Sequence, residues 1–149
     1  MFDIETMKIV RVGTLKAEDY SCQFRYWDAH VNLIESMAGF KPDVVVEDYL
    51  LYGNRAQNQI NSRLETPQLL GIIKYEDYKR SIFTYIQTAQ AVKTRWSDYV
   101  LMRKGYIEKV GASYKLKGYD QILPTHIKDA IRHALHYATY NTNYRGDKR

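Results

Sequence analysis

One cysteine and three prolines in 149 residues close off several routes at once. Cys22 has no second cysteine to pair with, so an internal disulfide framework and any cysteine-based zinc site are excluded. Long apolar runs are also lacking. The longest stretch free of charge and histidine is 81–92, well short of the ~20 residues that cross a bilayer. Asp3 and Glu5 stand where a secretory leader would be basic and then apolar, so no leader is expected. What is present is 45% hydrophobic and 26% charged residues, which excludes wholesale disorder. A chain of this length buries roughly 70% of its unfolded surface, enough for one core. The expectation is a soluble intracellular protein with one domain over 1–140, a basic tail over 141–149 and no membrane partner.

The net charge of +5 is unevenly spread. Residues 1–53 carry nine acids against five Lys and Arg, a net of −4, while 54–149 carry eight against seventeen, a net of +9. A basic two-thirds joined to an acidic third suggests a polyanion partner, with carboxylates gathered elsewhere. The chain also has 14 tyrosines, some beside cations as in Tyr78-Lys79-Arg80 and Tyr144-Arg145. Such rings stack on unpaired bases or sit half-buried in a core.

Alternation over 8–15 predicts a strand, with 2–4 as the tail of a preceding one and Glu5-Thr6 near the turn. Helical spacing predicts a helix over 25–38, ending at Gly39 as C-cap. Pro42 then introduces three consecutive valines at 44–46, the pattern of a fully buried strand in a parallel sheet. A polar loop over 49–59 precedes a helical region over 57–78, with Pro67 in a first turn. A strand is expected over 81–87 and a helix over 89–104 that stops at Gly105. Residues 109–119 read as an exposed, lysine-rich loop, and Pro124 opens a last helix over 125–140. Strands and helices in this order predict an α/β domain without internal repeats.

Two segments carry chemistry. Glu47 follows the valine strand immediately, and ligands gather at the ends of parallel strands. The ordinary alternative is an acid that merely starts a loop. In the last helix, Ile127, Ile131, Ala134, Leu135 and Ala138 share an arc at ~100° per residue. His126, Asp129, His133, His136, Tyr137 and Tyr140 fall opposite, on an expected wet face. His126 and Asp129 are three apart and leave neighbouring points of that face. With a strand-end Glu they offer hard donors suited to Mg²⁺ or Mn²⁺. A solvated polar face is the competing reading. His133 and His136 lack a His-Glu-x-x-His arrangement and are expected as solvent-facing histidines rather than zinc ligands.

Lys41-Pro42-Asp43-Val44-Val45-Val46-Glu47, the loop and helix after it, and His126-Ile127-Lys128-Asp129-Ala130 resemble the RuvC-type Holliday-junction resolvases of the RNase H-like superfamily. Order and spacing match from about residue 8 to 138. The resemblance implies an RNase H-like mixed sheet flanked by helices and a metal-dependent endonuclease acting on four-way DNA junctions. It also implies a homodimer, with much of the dimer contact from 57–78. Phosphodiester hydrolysis in this family uses two Mg²⁺ (or Mn²⁺), one activating water and one stabilising the leaving oxygen. Carried over, Glu47 and Asp129 bind metal, and His126 ligates or orients the metal or a water; these three are the candidate catalytic residues. Lys93 falls where the family often has a phosphate-contacting lysine. Arg55, Lys128 and Arg132 complete the candidate nucleic-acid contacts. The implied compartment is the cytoplasm of a bacterial or phage-infected cell, or an organelle matrix.

The family's first strand, with its Asp-x-Gly-like motif, has no counterpart here. Met1-Phe2-Asp3-Ile4 looks like the end of the second strand, so the expected domain is N-terminally truncated. Its first carboxylate is then supplied by Asp3 or by another chain, or a catalytically impaired DNA-binding scaffold remains. Asp3-Ile4-Glu5-Thr6 also looks like the opening motif of DEDD exonucleases, but the late His-x-x-x-x-Asp of that group is missing. A purely structural dimer, with basic residues that only solubilise it, is the remaining alternative.

Overall fold

A computed structural model of the chain describes residues 1–49 and 65–141. In chain order the elements are β1 (Phe2–Asp3), β2 (Lys8–Ile9), a 3-10 turn (Ala17–Asp19), α1 (Gln23–Met37), a second 3-10 turn (Ala38–Phe40) and β3 (Asp43–Glu47). Then follow α2 (Glu65–Lys79), β4 (Phe83–Gln87), α3 (Ala89–Arg95), α4 (Asp98–Arg103), β5 (Ile107–Val110), β6 (Ser113–Leu116) and α5 (Thr125–Tyr140). The protein is therefore mixed α/β, and among the described residues its strands form three two-stranded sheets. They divide into two compact units, Met1–Gly13 with Ala89–Arg149, and Thr14–Thr88.

The first unit is organised around Val92, Trp96, Leu101, Ile107, Leu116, Leu123, Ile131 and Leu135. Burying each aliphatic side chain of this size contributes roughly 1.5–3 kcal/mol, and together they join α3, α4, the β5–β6 hairpin and α5. The β1–β2 ribbon adds Phe2, Met7 and Ile9 to the same cluster. Only Lys8–Ile9 of the strand expected over 8–15 forms, because β2 pairs with a two-residue β1 and the alternation beyond it meets no partner strand among the described residues. The single helix expected over 89–104 is two helices. Ser97 takes an extended conformation between them (φ −61°, ψ 163°), and its hydroxyl accepts the Val100 N–H as the N-cap of α4. Gly105 stops α4 at φ +77°, as its position predicts.

The lysine-rich stretch expected as a loop is instead an antiparallel hairpin. Ile107 pairs with Leu116 on the buried face, and Glu108 pairs with Lys115 on the other, their charged groups 3.1 Å apart. Gly111 makes the turn at φ +58°.

In the second unit α1 packs against α2, and α2 against β4. Arg80 fastens the helices to each other through Glu35 of α1 (2.8 Å) while also bonding Glu76 of α2. Its fully apolar interior is small: Ile34 and Ile73 are its buried apolar residues among those described. β3 and β4 pair in parallel, in the register Asp43↔Phe83 through Glu47↔Gln87. The parallel pairing agrees with the valine run, but Val44, Val45 and Val46 are half-buried rather than fully buried. In this sheet β4 is their one paired neighbour among the described residues. α1 ends not on Gly39 but in a 3-10 turn, and the left-handed residue is Lys41 (φ +47°). The expected helix over 57–78 is described from Glu65 onward, with Pro67 in its first turn where proline costs no helical hydrogen bond. Residues 57–64, and all of the expected tail after Asn141, lie outside the described residues.

Candidate functional site

α5 begins where Pro124 holds an extended N-cap conformation (φ −60°, ψ 150°) and its carbonyl accepts the Lys128 N–H at 3.1 Å. Ile131, Leu135 and Ala138 are buried as the periodicity requires. The opposite face is wet only in part: His133 and Tyr137 are buried, as is Arg132 beside them, while Tyr140 is exposed. His126 stays exposed in the first turn, and Asp129 is half-buried one turn later. His136 is half-buried beside Tyr140, whose ring lies under the Arg95 guanidinium at 4.9 Å. Burial first, and then Arg95 and His133, lower the His136 pKa below the ordinary imidazole value.

Around Asp129 the charges alternate in a chain. Lys128 Nζ bonds Asp98 Oδ2 at 2.9 Å, and the other Asp98 oxygen receives Arg132. Arg132 also donates to Asp129 Oδ1 and, through Nε, to the Trp96 carbonyl at 2.8 Å. Lys93 closes the chain on Asp129 Oδ2 at 3.0 Å. The Arg132 side chain is 9% exposed and that of Asp129 15%, whereas Lys93 is 48% exposed. The planar guanidinium is therefore the fixed member, bonded to three acceptors, and Lys93 the loosely held one. Lys128 also lies 4.4 Å over the Tyr114 ring.

In the other unit Glu47 ends β3 and is exposed, and the neighbouring Asp48 N–H continues the sheet by bonding the Gln87 carbonyl at 2.8 Å. The C-terminal end of a parallel pair is where loops leave the sheet and ligands collect. Deeper in this unit Asp77 of α2 is fully buried against β4, bonded through Oδ2 to the Thr84 hydroxyl, while Oδ1 has no hydrogen-bond partner among the described residues. Burial raises its pKa above the usual carboxylate value, an effect that the Thr84 hydrogen bond and Arg80 only partly oppose.

The expected site residues are thus divided. Glu47 belongs to the Thr14–Thr88 unit; Lys93, His126, Lys128, Asp129 and Arg132 belong to the other. Within the latter, Asp129, Arg132, Lys93 and Lys128 are linked through Asp98, which the sequence reading did not single out. The signal was present: Ser97-Asp98 is an N-cap followed by an acid in the first turn, but it lay inside the expected helix over 89–104. Arg55 lies outside the described residues. Asp3 is committed to its turn, with Oδ1 accepting the Glu5 and Thr6 N–H groups (2.9 and 3.3 Å) and Oδ2 the Thr6 hydroxyl (2.7 Å). Those bonds lower its pKa. Asp3-Ile4-Glu5-Thr6 is accordingly the opening of the β1–β2 turn.

Among the described residues no three His, Cys, Asp or Glu side chains are grouped to hold a metal ion. At Asp129 both carboxylate oxygens are already paired with cations. Oδ1 is committed to the buried Arg132, and Oδ2 to Lys93, which is half exposed. No helix among the described residues is long and apolar enough to cross a membrane. No protein-family model, no curated protein and no solved structure matches this chain.

Proposed function

We infer that the chain is a metal-dependent, structure-selective DNA endonuclease of the RNase H-like, RuvC-type kind, hydrolysing phosphodiesters in four-way junctions as a homodimer. The reading rests on the sequence resemblance, and the observation that carries it is an exposed Glu47 at the C-terminal end of a parallel strand pair. Supporting it, Asp129 is paired with two cations and His126 is exposed one turn earlier on the same helix. When bound, Mg²⁺ would supply Lewis acidity to the attacking water and the leaving oxygen. The chain's own contribution is to hold the Asp129 carboxylate in place through Arg132, and to present Glu47 at the end of the sheet. Cations that are not committed to internal pairs draw in the DNA backbone.

The test is a gel assay on labelled four-way and linear duplex DNA, with binding read in Ca²⁺ and cleavage in Mg²⁺. The expected outcome is symmetric cuts confined to the junction, abolished by Glu47→Gln while junction binding persists. Normal cleavage by Glu47→Gln would refute the assignment of Glu47. Junction binding without cuts by the unmodified chain would identify a DNA-binding scaffold instead, a reading that the double neutralisation of Asp129 by Lys93 and Arg132 favours.

A further inference from the structure

We propose that the corner between α4 and β5, where Arg103, Lys104 and Lys117 converge on Gly105 and Tyr119 follows, is a binding surface for single-stranded DNA. This rests on the reading of the chain as a DNA-binding protein but not on its cutting DNA, and it moves the backbone contacts away from Lys93, Lys128 and Arg132.

Lys93, Lys128 and Arg132 already hold carboxylates inside the first unit, at Asp98 and Asp129. Arg103, Lys104 and Lys117 are exposed, and no carboxylate pairs with any of them among the described residues. The acids of the neighbouring hairpin are taken, since Glu108 and Asp120 both reach Lys115, at 3.1 and 3.7 Å. Two elements bring the three charges to one corner. Arg103 lies in the last turn of α4, and Lys104 is its C-cap, with Nζ 5.7 Å from the centre of the Trp96 ring. Lys117 comes from the far end of β6, its N–H bonded to the Tyr106 carbonyl at 3.1 Å. Its side chain lies across Gly105, with Nζ 3.7 Å from where a Cβ at that position would stand. The helix dipole accounts for cations at the end of α4, but not for Lys117, which belongs to the hairpin. Like charges gathered without acids repel one another, and a polyanion removes that cost. Two residues after Lys117, past Gly118 at φ +84°, Tyr119 is 54% exposed, and its N–H bonds the Leu116 carbonyl at 3.0 Å. The turn thus offers solvent a ring, close in the chain to cations without acids. A ring takes an unpaired base by its face while cations hold the strand by its phosphates, and a duplex keeps its base faces stacked inside.

The experiment titrates labelled oligo-dT and a labelled linear duplex with the full chain, reading fluorescence polarisation over a series of salt concentrations. The unmodified chain is expected to bind oligo-dT more tightly than the duplex. Changing Arg103, Lys104 and Lys117 together to Gln is expected to lower the slope of log affinity against log salt on oligo-dT by about two, the scale of three lost phosphate contacts. The charge-keeping set Arg103→Lys, Lys104→Arg and Lys117→Arg is expected to retain the slope, which separates lost charge from lost fold. Tyr119→Ala is expected to weaken oligo-dT binding about ten-fold, the scale of one stacked base, and Tyr119→Phe to bind as the unmodified chain does. An unchanged slope in the neutralised variant, or unchanged oligo-dT binding by Tyr119→Ala, would overturn the proposal and leave DNA binding to another surface. So would tighter binding of the duplex than of oligo-dT. No binding of either DNA by the unmodified chain at low salt would overturn it together with the reading it rests on.

Discussion

Asp77 is the side chain whose chemistry is least at ease in its surroundings. It is a carboxyl with no exposed surface, given, among the described residues, one hydroxyl partner for its side chain and no ion pair. A buried carboxyl in this position holds its proton more tightly in the folded protein than in the unfolded chain. The linkage follows directly: where the folded state binds more protons, stability falls as pH rises. Below the unfolded carboxyl pKa of about 3.9 both states are protonated and Asp77 has no effect. Above it the unfolded chain gains by ionising, and stability declines until the pH passes the raised folded value. Asp77→Asn keeps the shape and the acceptor for Thr84 while removing the ionisation. It is expected to raise the thermal midpoint at pH 7 and to flatten the decline with pH above about 4. Thermal unfolding of both proteins at a series of pH values checks this, and an equal slope for both would mean that Asp77 is not the titrating group.

Among the elements, the break between α3 and α4 matters most, because it places Asp98 where Lys128 and Arg132 can reach it. Ser97 makes that break by capping α4. Ser97→Ala is expected to cost about 1 kcal/mol of stability, the usual worth of such a cap, read as a lower denaturation midpoint in urea with an unchanged slope. Local sequence signals were sufficient for elements defined by their own residues. β3, β4, α1 and α5 follow from the valine run, the β-branched stretch, helical spacing and Pro124. They were insufficient where a distant partner decides. The alternation over 10–15 is real but has no strand to pair with among the described residues. The lysines over 109–117 hide a hairpin whose inward residues, Ile107 and Leu116, lie at its outer ends. The polar arc of α5 looks solvated until Asp98 and the Trp96 carbonyl, 34 and 36 positions upstream, supply partners for Arg132. For the same reason Glu47, His126 and Asp129 were legible as candidates, whereas the pairing that defines Asp129 was not.

On the scale of the whole molecule, charge and core follow the same division. Met1–Gly13 with Ala89–Arg149 carries seven acids against fourteen Lys and Arg, a net of +7; Thr14–Thr88 carries ten against eight, a net of −2. The unit with the larger positive charge also has the larger buried cluster, and the acidic unit rests on Ile34, Ile73 and half-buried valines. Local opening costs least where few apolar groups are buried. Backbone amides of α1 and β3 are therefore expected to exchange with solvent hydrogen earlier than those of α5 and β6. Exchange measured peptide by peptide checks it, and uniform protection across the chain would contradict it.

The alternating chain Lys128, Asp98, Arg132, Asp129, Lys93 also constrains how this sequence can drift. Each interior member has a charged neighbour on both sides, so a neutral change at one breaks two ion pairs at once, and the half-buried setting makes that costly. Arginine at 132 is not interchangeable with lysine, because only a planar fork bridges Asp98, Asp129 and the Trp96 carbonyl at once. Positions 98, 129 and 132 are thus expected to tolerate change only together, whereas Lys93, 48% exposed at the end of the chain of charges, can vary by itself at little cost.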